Sequence, residues 1–337
     1  MPRLLYRLFV IAMIAAAVAA AAIAWYAHRP LAWAGEAIEF TLRPGTALRQ
    51  AAQQIGASGV PVEPVLLTLI GRFAVDSTRL QAGSYAFRSG LTPLELLGML
   101  TRGDVSMREV RLIEGWTWRQ VRLALAAHPD LAQEAAALGD AQVLERIGAD
   151  VLSPEGWFFP DTYLFAVGDS DLAVLRRAYH AMRAQLDQAW SARAPDLPYR
   201  NPEDALIMAS IVEKETGAVR DRATIASVFV NRLRAGMPLQ TDPTVIYGLG
   251  ARFDGNLTRA HLLADGPYNT YRRAGLPPTP IAMPGRASID AALNPAPSQY
   301  YYFVARGDGS SEFSRSLAEH NRAVDRYQRR PAKAERK

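Results

Sequence analysis

The 337-residue chain contains no cysteine. It therefore forms no disulfide and has no metal–thiolate site or cysteine nucleophile. Its histidine, aspartate and glutamate residues do not show metal-ligand spacing, so the sequence predicts no metal and no other cofactor. The net charge of +5 is small and dispersed, and no basic patch interleaved with aromatic residues indicates binding to nucleic acid. Gly-x-Ser-x-Gly motifs and phosphate-binding glycine loops are also missing.

The start of the chain departs from ordinary globular composition. Residues 8–27 contain no charge, glycine or proline, and a helix of this length spans about 30 Å, the thickness of a bilayer's hydrocarbon core. Arg3 and Arg7 precede this run, and Trp25 and Tyr26 lie at its far edge. The positive-inside rule therefore places residues 1–7 in the cytoplasm and the rest outside. A cleaved signal peptide is the alternative, although its apolar region is usually about 7 to 15 residues long.

Residues 36–107 show the pattern of a small strand–helix–helix–strand module. Phe40 and Leu42 alternate with polar residues as in a strand, and a turn and two apolar helical segments follow. A further strand and a helix complete the pattern, with Thr92 as the predicted N-cap and Pro93 at the first helical position. Such units resemble LysM domains, which bind N-acetylated sugars. A generic small α+β unit without a ligand is the alternative.

A weak internal repeat predicts a second strand–turn–helix unit, which with its connecting helices spans residues 108–195. Thr41–Gln50 and Arg111–Gln120 match at four of ten positions, including Gly45 and Gly115. The aromatic segment "GWFFPDTYLF" follows. It is either a shelf for stacking sugars or a wedge in the core.

One helix near the middle of the chain ends in two acids. Asn201 is a good N-cap and Pro202 suits the first helical position. The segment is then apolar nearly all round until Glu213 and Glu215, and Gly217 is the predicted stop. This pattern predicts a central buried helix within a mixed α+β domain over residues 196–328.

The two glutamates lie on different sides of that helix. Two residues correspond to about 200° of rotation, so the two acids do not act as neighbours. Glu215 shares its face with Met208, Ile211 and Val212. Burial and the negative end of the helix dipole both raise the pKa of such a carboxyl group. A carboxylic acid that stays protonated near neutral pH is suited to general acid catalysis.

The structural alternative is that both glutamates form salt bridges with the arginines that follow, Arg220 or Arg222. A second amphipathic helix then ends at Gly236. We expect loops after it, since six prolines between residues 277 and 297 oppose a helix there.

Neutral polar and aromatic side chains in these loops suit an uncharged ligand such as a glycan. The substrate-binding candidates are Glu213, Gln240, Thr241, Asp242, Tyr247, Tyr268, Asn269, Thr270 and Tyr271. For each of the loop residues, hydrogen bonding that holds the loop together is the alternative. Asp242 before Pro243 is also a natural turn cap, and Asn269 could support a positively charged transition state.

Long strings in this region resemble the endolytic murein transglycosylases, the MltG or YceG-like family of bacterial inner membranes. They include "ASIVEKET", "VFVNRLRAGMPLQTDPTVIYGLG", "YNTY", "GLPPTPI", "SIDAALNP" and "HNRAV", in this order between Leu206 and Val324. The strings "FTLRPGT", "AGSYAF", "EGWTWRQ" and "EGWFFPDTY" resemble the family's N-terminal region, including its LysM-like part.

This resemblance implies a lyase that cleaves the β-1,4 bond between N-acetylmuramic acid and N-acetylglucosamine without water. One glutamic acid protonates the glycosidic oxygen and then takes the proton of the muramyl C6 hydroxyl, which closes a 1,6-anhydro ring. In the family this residue is the second glutamate of the motif, here Glu215, and Glu213 is then structural. No second carboxylate is needed, in contrast to ordinary glycosidases.

The resemblance also implies a single-pass protein of the bacterial inner membrane with a periplasmic catalytic domain. It would act on nascent peptidoglycan glycan strands, close to peptidoglycan synthases, and limit strand length. Two alternatives remain: a muramidase that uses water, with Asp242 as base, and a non-catalytic glycan-binding scaffold. The family often has a histidine where this chain has Ser311, although His320 is present. The composition of residues 329–337 predicts a basic, solvated tail.

Overall fold

The structure is a computed structural model that describes residues 2–34, 37–75, 80–215 and 219–329. The predicted helix stop at Gly217 and the basic tail from residue 330 onward lie outside the described residues. The chain divides into two compact units. The first comprises Met1–Glu109 and Leu164–Asp169, and the second comprises Val110–Tyr163 and Ser170–Lys337. The mixed α+β fold that the sequence predicts is confirmed.

The N-terminal helix α1 covers Pro2–His28, and its part from Leu5 to His28 is long and apolar enough to cross a membrane. Large apolar side chains along it, such as Phe9 and Val18, are exposed. Its last residues behave differently, because Ala27 and the following Leu31 are buried in the core of the first unit.

The first unit has the predicted order of strand, helix, helix and strand. Its elements are β1 (Ile38–Leu42), α2 (Leu48–Ala57), α3 (Pro64–Ala74), β2 (Gly83–Phe87) and α4 (Pro93–Arg102). β1 and β2 pair antiparallel, with Phe40 opposite Tyr85, and the helices cover the pair with Ile55, Leu67 and Leu96. Thr92 caps α4 in a capping box with Glu95, as predicted.

The two halves of the internal repeat share a backbone feature. Strand β3 (Met107–Arg111) leads through Gly115 to helix α5 (Trp118–Ala126), as β1 leads through Gly45 to α2. Gly45 has a φ of 78° and Gly115 a φ of 77°. Only glycine adopts this left-handed conformation without strain, which explains why both turns keep it.

The next elements are α6 (Asp140–Ile147), β4 (Thr162–Ala166) and α7 (Asp171–Ser191), and β4 pairs with β3. The aromatic segment before β4 belongs to the core: Trp157 and Phe158 are buried. Phe158 also stacks on Trp118, with ring centroids 4.8 Å apart. These rings therefore form the core wedge and not the sugar-stacking shelf.

Helix α8 (Pro202–Glu215) packs against α9 (Val219–Arg234) and α12 (Arg286–Leu293). Its N-terminus forms as predicted, since the Asn201 side chain accepts a hydrogen bond of 2.9 Å from the backbone N–H of Asp204. The residues from Asp204 to Val212 are all buried. The apolar sequence of this segment is thus matched by burial on every side.

Two helices lie where the sequence indicated loops. α10 (Asp242–Leu249) begins one residue before Pro243, and α12 occupies the stretch between Pro284 and Pro295. The loop expectation was wrong here because a proline is compatible with the first helical turn and with the residues that follow a helix. The remaining elements are α11 (Arg259–Leu263), the antiparallel strands β5 (Tyr302–Ala305) and β6 (Ser311–Ser314), and α13 (Leu317–Val324).

Candidate active site

Glu215, the last residue of α8, lines a cavity of about 550 Å³ in the second unit. Helix α8 supplies the acid, the segment before α10 supplies one wall, and β5, β6 and α13 supply another. Of the predicted candidates, Gln240, Asp242 and Tyr271 line the same cavity. The other lining residues include Phe229, Arg232, Tyr302, Phe303, Ser311 and His320.

The pKa of the Glu215 carboxyl group is raised to about 7. Burial is the main cause, and the negative charge of Asp242 adds to it. A hydrogen bond from Thr241 and the positive charge of Arg232 act in the opposite direction. Glu215 is therefore a carboxyl group whose two protonation states are both accessible near neutral pH, which a group acting first as acid and then as base requires.

Thr241 is held in place to donate its hydroxyl hydrogen bond to Oε1 of Glu215. Its backbone N–H donates to Oγ1 of Thr270 (3.1 Å), and its carbonyl accepts from Oγ1 of Thr244 (2.8 Å). The preceding Gln240 has a φ of 53°, which is uncommon for a residue with a side chain. The backbone N–H of Gln240 donates to the Thr270 carbonyl (3.0 Å). These buried contacts fix the direction of the Thr241 hydroxyl.

A second carboxylate in the cavity has a donor of its own. The Tyr271 hydroxyl donates a 2.6 Å hydrogen bond to Oδ1 of Asp242. Burial and this bond to Asp242 raise the pKa of Tyr271. The phenol therefore remains a neutral donor to Asp242 at physiological pH.

The wall formed by α9 and β5 carries positive charge. Arg232 is buried and donates to the backbone carbonyls of Pro238, Leu239 and Tyr301 at 2.7–3.1 Å. Its guanidinium lies over the Tyr302 ring, 5.1 Å from the centroid. Since its backbone partners are neutral, this buried cation acts on the cavity through its charge.

His320 of α13 and Ser311 of β6 lie in the wall that β5, β6 and α13 form. The His320 ring stacks on Tyr302 at a centroid distance of 5.3 Å, and its Nδ1 is buried without a hydrogen-bond partner among the described residues. Burial and the nearby charge of Arg232 lower its pKa, so the ring is neutral at physiological pH. Ser311 lines the cavity as well.

Glu213 is not a lining residue of this cavity. Its carboxylate forms an ion pair with Arg222 (3.2 Å), and the two side chains are only 5% and 8% exposed. Its other oxygen accepts a 3.0 Å hydrogen bond from the backbone N–H of Gly285, at the start of α12. The arrangement joins α8, α9 and α12 and corresponds to a structural role for this acid.

Four other candidates hold loops together. Thr270 is buried beside Thr241, and Asn269 is buried with its side-chain amide on the carbonyls of residues 261, 262 and 264. Tyr268 contacts the Thr279 hydroxyl at 2.8 Å. Tyr247 donates to the buried carboxyl of Glu155 at 3.0 Å. None of these four side chains lines the Glu215 cavity.

Sequence reasoning missed Arg232, Tyr302 and Glu155 as functional or titrating groups. Arg232 lies on an amphipathic helix whose arginines look alike in the sequence. Glu155 has a pKa raised to about 7, mainly by burial, although it accepts hydrogen bonds from the backbone of Trp118 and from Tyr247. The only sequence signal for its burial was the aromatic segment that follows it. Within the described ranges, no three acidic or histidine side chains are grouped to hold a metal ion.

Comparisons with known proteins point to one family. The model of the YceG-like family matches residues 40–326. The chain is 33% identical over 264 residues to the endolytic murein transglycosylase of Bacillus subtilis (strain 168), a match that covers 73% of each protein. It is 32% identical over 178 residues to the endolytic murein transglycosylase of Streptococcus pneumoniae serotype 2, which covers 50% of this chain and 31% of that protein.

A structural comparison extends the similarity to most of the chain. The 2.6 Å crystal structure of a YceG-like protein from Listeria monocytogenes matches with a TM-score of 0.54 and 29% sequence identity. The match covers 86% of this chain and 99% of that one.

Proposed function

The chain belongs to the YceG-like family, and from this premise we propose that it is an endolytic lytic transglycosylase of peptidoglycan. It cleaves the β-1,4 bond between N-acetylmuramic acid and N-acetylglucosamine within nascent glycan strands. The products are a free N-acetylglucosamine end and a 1,6-anhydro-N-acetylmuramic acid end, and the cut ends elongation of the strand. The observation that supports this most directly is one acid, Glu215, with a pKa of about 7 in an open cavity.

In the proposed reaction the protonated Glu215 donates its proton to the glycosidic oxygen as the bond from that oxygen to muramyl C1 breaks. The resulting carboxylate accepts the proton of the muramyl C6 hydroxyl, and the C6 oxygen forms the new bond to C1. The proton count of Glu215 is thus restored. The Thr241 hydroxyl stabilises the carboxylate between the two transfers, and the negative charge of Asp242 favours the positive charge that develops on the sugar ring.

A muramidase would need a second carboxylate that activates water. Asp242 is the acid in the cavity that could serve, but its Oδ1 is engaged by Tyr271 and its charge raises the pKa of Glu215. Both features suit a carboxylate that keeps the general acid protonated. The names of the relatives favour the lytic reaction too.

We extend the proposal to the predicted organisation. The LysM-like module is residues 36–107. The second strand–turn–helix unit and its connecting helices are residues 108–195, and the catalytic domain with α8 as its central helix is 196–328. The span at 8–27 leaves residues 1–7 in the cytoplasm and the catalytic domain in the periplasm, as in a single-pass protein of the bacterial inner membrane. Tethering raises the effective concentration of enzyme at strands made by nearby peptidoglycan synthases.

The test uses the full-length protein in detergent with purified glycan strands and reads the product ends by mass spectrometry. We expect anhydro ends from the wild type and a loss of about 10²- to 10⁴-fold with Glu215→Gln, the usual contribution of a general acid. Glu203→Gln, the same change at an exposed position in the first turn of α8, serves as the matched control and should keep full activity. Reducing muramyl ends would show a muramidase, and binding without any product would show a scaffold.

A further inference from the structure

Helix α3 (Pro64–Ala74) has an apolar face that nothing in the described part of the first unit covers. Its inner side, with Leu67 and Ile70, packs into the core. On the outer side Val65 is 66% exposed and Phe73 is 88% exposed. Val65, the partly exposed Leu69 and Phe73 follow each other at spacings of four residues, which places them along one stripe of the helix.

This helix begins next to the end of the proposed membrane span. The backbone N–H of Glu63, the residue before α3, donates a 2.7 Å hydrogen bond to the Tyr26 hydroxyl of α1. Ala27 and Leu31 lie in the same core as Leu67 of α3. Helices α1 and α3 also pack against each other directly. The start of α3 therefore lies beside the end of α1, which is the level at which the chain leaves the bilayer in the proposed span.

The level of the bilayer surface is marked on α1 itself. Trp25 is exposed, and the Arg29 guanidinium lies 5.3 Å from the centroid of its ring. Tryptophan and tyrosine near a cation are typical of the membrane–water interface. Tyr26 contacts the start of α3. With the proposed span, this contact brings Val65 to the headgroup region, which is about 5 to 7 Å thick on each side of the hydrocarbon core.

Positive charge borders the same face. A groove of about 310 Å³ between α2 and α3 is lined by Val65 and Leu69 together with Arg49 and Arg72. Both arginines are exposed, and neither forms an ion pair with another residue described in the structure. Apolar residues next to arginines are typical of helices that lie in the interface of a bilayer with anionic lipids.

We propose that α3 lies along the surface of the same bilayer that α1 crosses, with Val65, Leu69 and Phe73 in the headgroup–acyl boundary and Arg49 and Arg72 on anionic lipid headgroups. The inference rests on the proposed membrane span. The first unit is then bound to the membrane surface, in addition to any role in glycan binding. Two elements, α1 and α3, then attach the first unit to the bilayer.

The absence of cysteine makes the test direct. Single-cysteine variants Val65→Cys and Phe73→Cys of the full-length chain are labelled with an environment-sensitive fluorophore. They are reconstituted in nanodiscs of phosphatidylethanolamine and phosphatidylglycerol. Quenching by headgroup-proximal spin-labelled lipid is compared with quenching by aqueous iodide. Arg102→Cys, exposed at the far end of α4, is the aqueous control. Val18→Cys in the middle of the span is the lipid control, and it is read with lipid that carries its spin label deep in the acyl chain.

We expect both α3 labels to be quenched at least threefold more by the spin-labelled lipid than the Arg102 label and to be protected from iodide. Replacing Arg49 and Arg72 together with glutamine should reduce that lipid quenching, most in nanodiscs rich in phosphatidylglycerol. Iodide-accessible Phe73 with lipid-quenched Val65 would mean that α3 rises away from the surface and would overturn the proposal. A Val18 label that lipid spin-labelled deep in the acyl chain leaves unquenched would refute the span itself. Because the readout needs no catalysis, failure of the proposed enzymatic function leaves it interpretable.

Discussion

From the hydrogen bond between Thr241 and Glu215 we predict how the reaction depends on pH. Thr241→Val keeps the shape of this buried side chain and removes only the hydroxyl, whose acceptor is Oε1 of Glu215. A hydrogen bond to a charged group contributes about 1.5 to 3 kcal/mol. Since one pKa unit corresponds to about 1.4 kcal/mol, loss of the bond should raise the pKa of Glu215 by roughly one to two pH units from its value of about 7.

The sign of the effect follows from the role of the acid. The bond stabilises the carboxylate and not the protonated form, so its removal extends the pH range in which Glu215 is protonated. The alkaline limb of the profile of kcat/KM against pH should therefore move upward by about the same amount. The maximal rate should fall roughly three- to tenfold, since a weaker acid transfers its proton less readily.

The measurement is the release of anhydro ends from glycan strands between pH 5 and pH 10, with the wild type, Thr241→Val and Thr241→Ser. Serine keeps the hydroxyl and should restore the wild-type limb. An alkaline limb that stays at the wild-type pH in the valine variant would refute the argument that this bond sets the pKa of Glu215. A limb that moves equally in the valine and serine variants would assign the effect to packing and would refute it as well.

Two further predictions concern buried acids. The pKa of Glu155 is raised from 4.5 to about 7, so its contribution to stability is full below about pH 4.5 and is lost as the pH rises through 7. Between pH 5 and pH 8 the wild type should therefore lose up to about 3 kcal/mol more unfolding free energy than the Glu155→Gln variant. Thermal unfolding of the variant with the same pH dependence as the wild type would contradict this. Arg222→Gln leaves Glu213 buried without its cation and should destabilise the protein by about 3 to 5 kcal/mol in denaturant titrations. Changing both residues to glutamine should recover much of that loss, and a single variant as stable as the wild type would count against the pair.

Local signals in the sequence were sufficient to predict where two helices begin. Asn201 and Thr92 cap their helices as predicted, since a cap depends on a side chain and a backbone N–H three residues away. The same kind of signal was misread around Pro243, where the proline occupies the first turn of α10. The spacing along α8 also indicated that Glu213 and Glu215 point in different directions, and their partners Arg222 and Thr241 agree with this.

The contacts that complete the site are separated in the sequence, and no local pattern reveals them. Thr241 lies 26 residues from Glu215, and its direction depends on the unusual φ of Gln240 and on Thr270. Arg232 reaches the cavity because α9 packs against β5. These two elements are far apart in the sequence. For this reason Asn269 and Tyr247, which look like binding residues in a loop, turn out to have partners outside the cavity.

Glu213 and Glu215 show how one helix separates a structural acid from the proposed catalytic one. Their side chains differ by about 200° in direction, so Glu213 points to the Arg222 guanidinium and the start of α12, whereas Glu215 points to Thr241 and the cavity. The ion pair holds α8, α9 and α12 together, and α9 in turn supplies Arg232 to the cavity wall. The buried pair therefore helps to hold together the two helices that carry the proposed general acid and the charge that acts on it. A variant of Glu213 should for that reason change activity only through the geometry of Glu215 and Arg232, and it should leave the type of product end unchanged.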